Sequence, residues 1–289
     1  MTEIVKTGGS WSLWIRATAL WLSVACYLAC VIWFSWNPTS NAQMLAVIGI
    51  AAACLHASLA YGFRHMLAFF LICVATTFTI ENLGVATGFP FGNYHFEVGA
   101  NLPHVGTIPV IVGPLWFGMG YFSWKVASIL LGGADRRLHR NINMIALPIV
   151  AAFVMTQWDV VMDPPEATIA KGWIWHDGGA NFGVPLSNYL GWLLTSWLFY
   201  QTFALYLRHQ SGVWRQGGQQ TLQLIAILFY LSAGLTHVIP WLMGQSGEIA
   251  DATGHVWQIR QLREAAVTTM IFTMLFTAML SALRLAKSS

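Results

Sequence analysis

The sequence predicts an all-α, polytopic membrane bundle of about eight transmembrane helices, one domain spanning residues 1–289, with both termini cytoplasmic. Three observations carry that reading. First, 56% of the residues are hydrophobic and 9% charged, with a mean hydropathy of +0.59, outside the range of soluble domains. Second, apolar runs long enough for the ~20 residues that a helix needs to cross hydrocarbon follow one another along the chain. Third, Lys and Arg gather in alternate connections, as cytoplasmic loops require.

The runs fall at roughly 13–36, 42–62, 65–86, 106–131, 141–162, 185–207, 219–243 and 264–285. The first is too long for a signal-peptide core and no cleavage pattern follows it, so it reads as a retained span. Cys26, Cys30, Cys54 and Cys73 all lie inside spans without zinc or redox spacing and read as small apolar residues. With the N-terminus inside, Lys6, Arg16, Arg64, Lys125, Arg136, Arg137, Arg140, Arg208, Arg215, Arg284 and Lys287 are cytoplasmic, against Lys171, Arg260 and Arg263 outside. Glu3 and Asp135 are the cytoplasmic acids, and the other acids fall at outer span ends or in outer loops. The net charge of +3 is thus a topology signal, and no basic patch interleaved with aromatics points to nucleic acid.

Three outer connections, 87–105, 163–184 and 244–263, are long and rich in Gly, Pro, aromatic and polar residues, the usual place to build a site. The third span runs into "ENLGVATGFPFGNYHF". Glu81 stands about a turn and a half before the span ends, where an ionisable group must be paired, neutral or turned to a polar cavity. Gly84, Gly88 and Gly92 recur every four residues and read as a close-packing face if the helix continues, although Pro90 argues for a turn. The segment after Pro90 reads as a folded-back loop presenting Tyr94 and His95.

In the fifth span, "TQWDVVMDPPE" places Thr156, Asp159 and Asp163 on one helix face. Asp163, just before Pro164, reads first as an ordinary helix-end acid. Asp159 lies deeper and reads as functional. His237 precedes Pro240 in the seventh span, Arg260 and Glu264 read as an interfacial ion pair opening the eighth, and Asn188 lies one turn inside the sixth after Pro185. No two of the nine histidines are three or four residues apart, so no metal site is expected. The outer segment that holds Trp173, Trp175 and Trp192 reads equally as an interfacial belt.

"ENLGVATGFPFGNYHF", "HVGTIPVIVGPLWFGMG", "DVVMDPP" and "GWIWHDGGANFGVPLSNYLGW" together resemble the carotenoid biosynthesis protein family of integral membrane proteins, over roughly residues 64–192. The family pattern commonly has an aromatic where Asn181 stands and a Tyr where Phe96 stands. The resemblance implies hydration of the terminal C1=C2 bond of an acyclic carotenoid, such as lycopene, γ-carotene or a C50 precursor. It implies no cofactor, a place in the inner (cytoplasmic) membrane, and the bilayer and other carotenoid enzymes as partners. Protonation at C2 needs an acid, and a tertiary cation at C1 gains from aromatic faces. Asp159 is then the expected donor and Glu81 the partner that shares its proton or holds the water. Asp163 and a charged His237 hydrogen-bonded to one of these acids complete the expected catalytic set. Phe91, Tyr94, Trp173, Trp175, Asn188 and Trp192 are the expected substrate contacts. A non-catalytic carotenoid-binding or transfer protein and a carotenoid cyclase or isomerase are the alternatives.

Overall fold

The computed structural model describes residues 8–36, 43–210 and 219–287. Glu3, Lys6 and Arg215, which enter the charge count above, lie outside those residues. The helices are α1 (Gly8–Trp36), α2 (Gln43–Tyr61), α3 (Phe63–Thr87), α4 (Val112–Leu130), α5 (Asn141–Asp163), α6 (Leu186–Arg208), α7 (Gln219–Leu235), α8 (Val238–Leu242), α9 (Ile259–Met270) and α10 (Phe276–Ala286). A π-helical turn, Pro164–Ile169, extends α5, and another, Ile271–Leu275, joins α9 to α10.

Among the described residues, five segments are long and apolar enough to cross a membrane: Met44–Tyr61, Phe63–Thr87, Asn141–Ile169, Gln220–Leu242 and Ile259–Ala286. The chain is therefore a multi-pass helical membrane protein. Helices α4 and α6 coincide with expected spans but carry more polar groups, including Ser123, Lys125 and Ser128 on α4 and Asn188 and Gln201 on α6. On α4 the reason is position. It packs against α2, α3, α5, α7 and α10, and 16 of its 19 residues are buried, so protein rather than lipid surrounds its polar side chains. Lipid-facing apolar side chains instead stud α1, α3 and α10, as with Trp33, Leu71 and Phe276.

The connections hold short strands that the helical pattern does not announce. Strand β1 (Tyr94–Phe96) pairs antiparallel with β4 (Trp173–Trp175), Tyr94 opposite Trp175. Strands β2 (His104–Val105) and β3 (Ile108–Pro109) form one small hairpin, and β5 (Glu248–Ala250) and β6 (Val256–Gln258) another. Lys171 Nζ donates to the Ala250 carbonyl at 2.6 Å, so all three long connections meet at one end of the bundle, the hairpin end. At the opposite, basic end, Tyr61 Oη donates to Asp135 Oδ2 at 2.7 Å and Arg137 Nη2 caps the carbonyls of Leu131 and Gly132.

The expected glycine face on α3 does not form. The helix stops at Thr87 because Gly88 turns left-handed (φ 78°) and closes onto the Gly84 carbonyl. Gly84 has a different use. A Cβ there would lie 2.8 Å from the Phe91 ring, and one at Gly191 on α6 would lie 2.4 Å from it. The chain folds back and wedges Phe91 between α3 and α6, which only a missing side chain on each helix allows.

Candidate functional site

Strand alternation sends Tyr94 inward and His95 outward. Tyr94 is buried against Trp175, with ring centroids 4.8 Å apart. His95 instead bonds His176 Nε2 at 3.0 Å and Glu97 Oε1 at 2.9 Å on the exposed face. The expected loop thus presents one of its two residues to the interior.

Beneath this β1–β4 cover lies a cavity of about 680 Å³, within the ~300–1,000 Å³ usual for ligand pockets. Its middle is aromatic. Trp116 stacks on Trp192 with centroids 3.7 Å apart and planes 11° apart, and Trp158 meets Trp192 edge-on at 5.7 Å. Phe91, Tyr94, Trp173 and Trp175 complete the wall on the hairpin side. An apolar arm runs toward α1, α2 and α7, past Tyr27, Gly49, Ile50, Met119 and Phe229.

Three carboxyls meet at the aromatic section. Glu81 is 4% exposed, Asp159 0% and Asp163 1%, and each feels the charge of the others. Glu81 lines the cavity. Its Oε1 accepts from Trp116 Nε1 at 3.0 Å, and its Oε2 accepts from the Tyr94 hydroxyl. Burial, reinforced by Glu81, holds the Tyr94 phenol far above its ordinary pKa, so it remains a neutral hydroxyl. Asn188, on the cavity wall, donates through Nδ2 to Asp159 Oδ2 at 3.1 Å and to Asp163 Oδ2. Trp173 Nε1 donates to Asp163 Oδ1 at 2.5 Å. Both oxygens of Asp163 therefore accept donors, whereas Asp159 Oδ1 is buried without a hydrogen-bond partner among the described residues.

The ordinary helix-end reading of Asp163 is overturned, since Pro164 and Pro165 open a π turn that keeps the chain inside the protein and the carboxyl out of water. Thr156 shares the face of α5 but bonds back to the Ala152 carbonyl at 2.9 Å and leaves the acids alone. His237 lines the cavity, yet it makes no hydrogen bond to either expected acid. Its charged neighbour is Arg263. Arg260 and Glu264 form no ion pair. Arg263, one turn on from Arg260, turns to the cavity and bonds Gln245 Oε1 through Nε at 3.2 Å.

Sequence reasoning missed Trp116 as the second donor to Glu81, although it lies within "GPLWFGMG". Its partner is 35 residues away on another helix, and no local spacing encodes that contact. It also missed Trp158, Glu166, Gln245 and Arg263 as cavity residues.

The model of the carotenoid biosynthesis protein family matches residues 41–257. A bisanhydrobacterioruberin hydratase from Haloarcula japonica is 27% identical over 119 residues, which cover 41% of this chain and 38% of that protein. The chain thus aligns with well under half the length of that relative. No solved structure matches this chain.

Proposed function

The chain belongs to the carotenoid biosynthesis protein family, and on that premise we propose that it hydrates the terminal C1=C2 bond of an acyclic carotenoid without a cofactor, giving a tertiary alcohol. The observation that carries the proposal is the meeting of three buried carboxyls, bound by neutral donors alone, with an aromatic cavity. Intramembrane carboxyls without a cationic partner are costly and mark proton chemistry more often than structure. The hydratase name of the Haloarcula relative agrees with this reading.

The roles follow from contact with the cavity. Asp159 stands behind Asn188, whereas Glu81 reaches the cavity itself, so the donor role moves from Asp159 to Glu81. An indole N–H can only donate, so Glu81 Oε1 is an acceptor and the acidic proton belongs on Oε2, shared with the Tyr94 hydroxyl. Transfer of that proton to C2 uses the π pair of the alkene and leaves a cation at C1. The stacked Trp116 and Trp192 and the half-buried Trp173 offer π faces to it. A water lone pair then closes the C1–O bond. The proton released goes to the Asp159–Asp163 pair, where Asp159 Oδ1 is free to hold it. Asn188 keeps both carboxyls in place. The carboxyls interact strongly enough that they titrate as a set, and the proton returns to Glu81 within that set. The protein sits in the inner membrane with the hairpin end outward.

Expression in cells that accumulate lycopene or γ-carotene, followed by mass analysis of the pigments, tests the proposal. A gain of one water supports it. An unchanged mass with altered absorption makes the protein a cyclase or isomerase, and unchanged pigment makes it a binder.

A further inference from the structure

Besides the acids, the cavity has one other polar stretch. Glu166 on the π turn after α5, His237 at the start of α8, Gln245 in the connection after α8 and Arg263 on α9 all line it. Arg263 holds them together. Its Nε donates to Gln245 Oε1 at 3.2 Å, and it is the charged neighbour of both Glu166 and His237. Gln245 is half-buried, but Met243, Gly244, Ser246 and Gly247 beside it are exposed. The stretch therefore runs from the surface of the hairpin end to the aromatic section.

We propose that this polar arm is the port through which the reacting water enters and is held. The inference rests on the hydratase reading and deepens it. A cation flanked by indole and phenyl faces is captured only if a water stands beside it, and a water inside a protein needs two to four polar partners. Indole rings and aliphatic walls supply few. The oxygens of Glu166 and Gln245, the His237 ring and the guanidinium of Arg263 supply a continuous set, in which the bond to Gln245 is the one side-chain hydrogen bond that Arg263 makes among the described residues. The arm is separate from the acid in chemistry as well as in place: Glu81 makes the cation and the arm decides what becomes of it. With water present, a C1–O bond forms and a proton leaves the oxonium. Without it, the cation loses a proton from C2 or from a methyl on C1, and an alkene re-forms.

That division gives a test in which the two steps are read separately. Membranes carrying the protein and an acyclic carotenoid are incubated in deuterium oxide, and both the hydrated product and the recovered unhydrated carotenoid are analysed by mass. Arg263→Leu and Gln245→Leu are expected to lower the hydrated product about tenfold or more, the worth of one or two lost hydrogen bonds to the water. Deuterium in the recovered carotenoid should persist or rise, since each uncaptured cation returns as labelled alkene. That persistence also shows that the variant is folded and protonates its substrate. Hydration at the wild-type level in both variants overturns the port. So does a parallel loss of hydration and deuterium in both, which would place these residues in the acid step or in folding. A wild-type protein that neither hydrates nor deuterates the carotenoid removes the hydratase reading itself, and the port with it.

Discussion

The bundle buries carboxyls at both ends and treats them in opposite ways. At the basic end Asp135 is 2% exposed, and Lys125 Nζ lies 2.7 Å from its Oδ2. Tyr61 donates to the same oxygen, Trp124 Nε1 donates to Tyr61 at 3.0 Å, and Ser128 Oγ accepts the Asp135 N–H at 3.2 Å. Charge meets charge there, and no large cavity adjoins. At the hairpin end Glu81, Asp159 and Asp163 have no cation within ion-pair distance among the described residues, only amide, indole and phenol donors. The first arrangement spends its polar groups on one another and locks α2, α4 and the turn before α5 together. The second leaves proton-bearing groups facing a ligand-sized space. Burial alone does not distinguish a structural carboxylate from a chemical one; the partner does.

The contrast breaks most visibly by substitution of the hairpin-end acids. Glu81→Gln and Asp159→Asn keep shape and hydrogen bonding but remove the acid. Hydration per folded molecule is expected to fall by about 10² to 10⁴, the usual worth of general acid–base catalysis, with little change in thermal midpoint. Near-normal product from both would sink the acid assignment. The converse change is Lys125→Met, which strands Asp135 as an unpaired buried charge at a cost of about 3–5 kcal/mol. Thermal unfolding in detergent should record that loss, while turnover per folded molecule stays at the wild-type value. A large fall in turnover without loss of stability would erase the distinction between the two ends.

Smaller effects sharpen it. Burial works against ionisation of Asp135, yet Lys125, Ser128 and Tyr61 together hold its carboxyl below the usual carboxylate range. A carboxyl whose pKa is lowered by folding stabilises the fold in full above its unfolded value, near 4, and loses that contribution as pH falls through the folded value. Stability followed from about pH 6 downward should therefore be flat until below about pH 4 as far as this pair is concerned. Last, Glu97→Gln and Glu248→Gln, on the exposed faces of the hairpins, should leave hydration within error of wild type. Glu97 bonds only an exposed His95, and Glu248 bonds Gln258 on the paired strand.

The sequence made the helices legible because their signal is local: a long apolar run ends where polar residues begin. It made Glu81 and Asp159 legible for the same reason, since depth along a run is readable without a partner. What it did not reveal depends on contacts between distant segments. Pairing of Tyr94 with Trp175 joins strands about 80 residues apart, and each is too short for a period-two pattern to stand out. Asp163 looked like a helix end because the prolines that follow it normally stop a helix in water, whereas here they start a π turn within the protein. The polar arm was read as an ion pair of Arg260 and Glu264, because spacing cannot tell which side of α9 faces the cavity.

The most direct test of hydration by these acids is the origin of the new hydroxyl oxygen. Membranes carrying the wild-type protein and an acyclic carotenoid, incubated in heavy-oxygen water without dioxygen and with a chelator present, should yield a tertiary alcohol that carries the heavy isotope. A product that takes its label from oxygen gas, or that fails to form unless dioxygen or a metal is restored, would contradict the account.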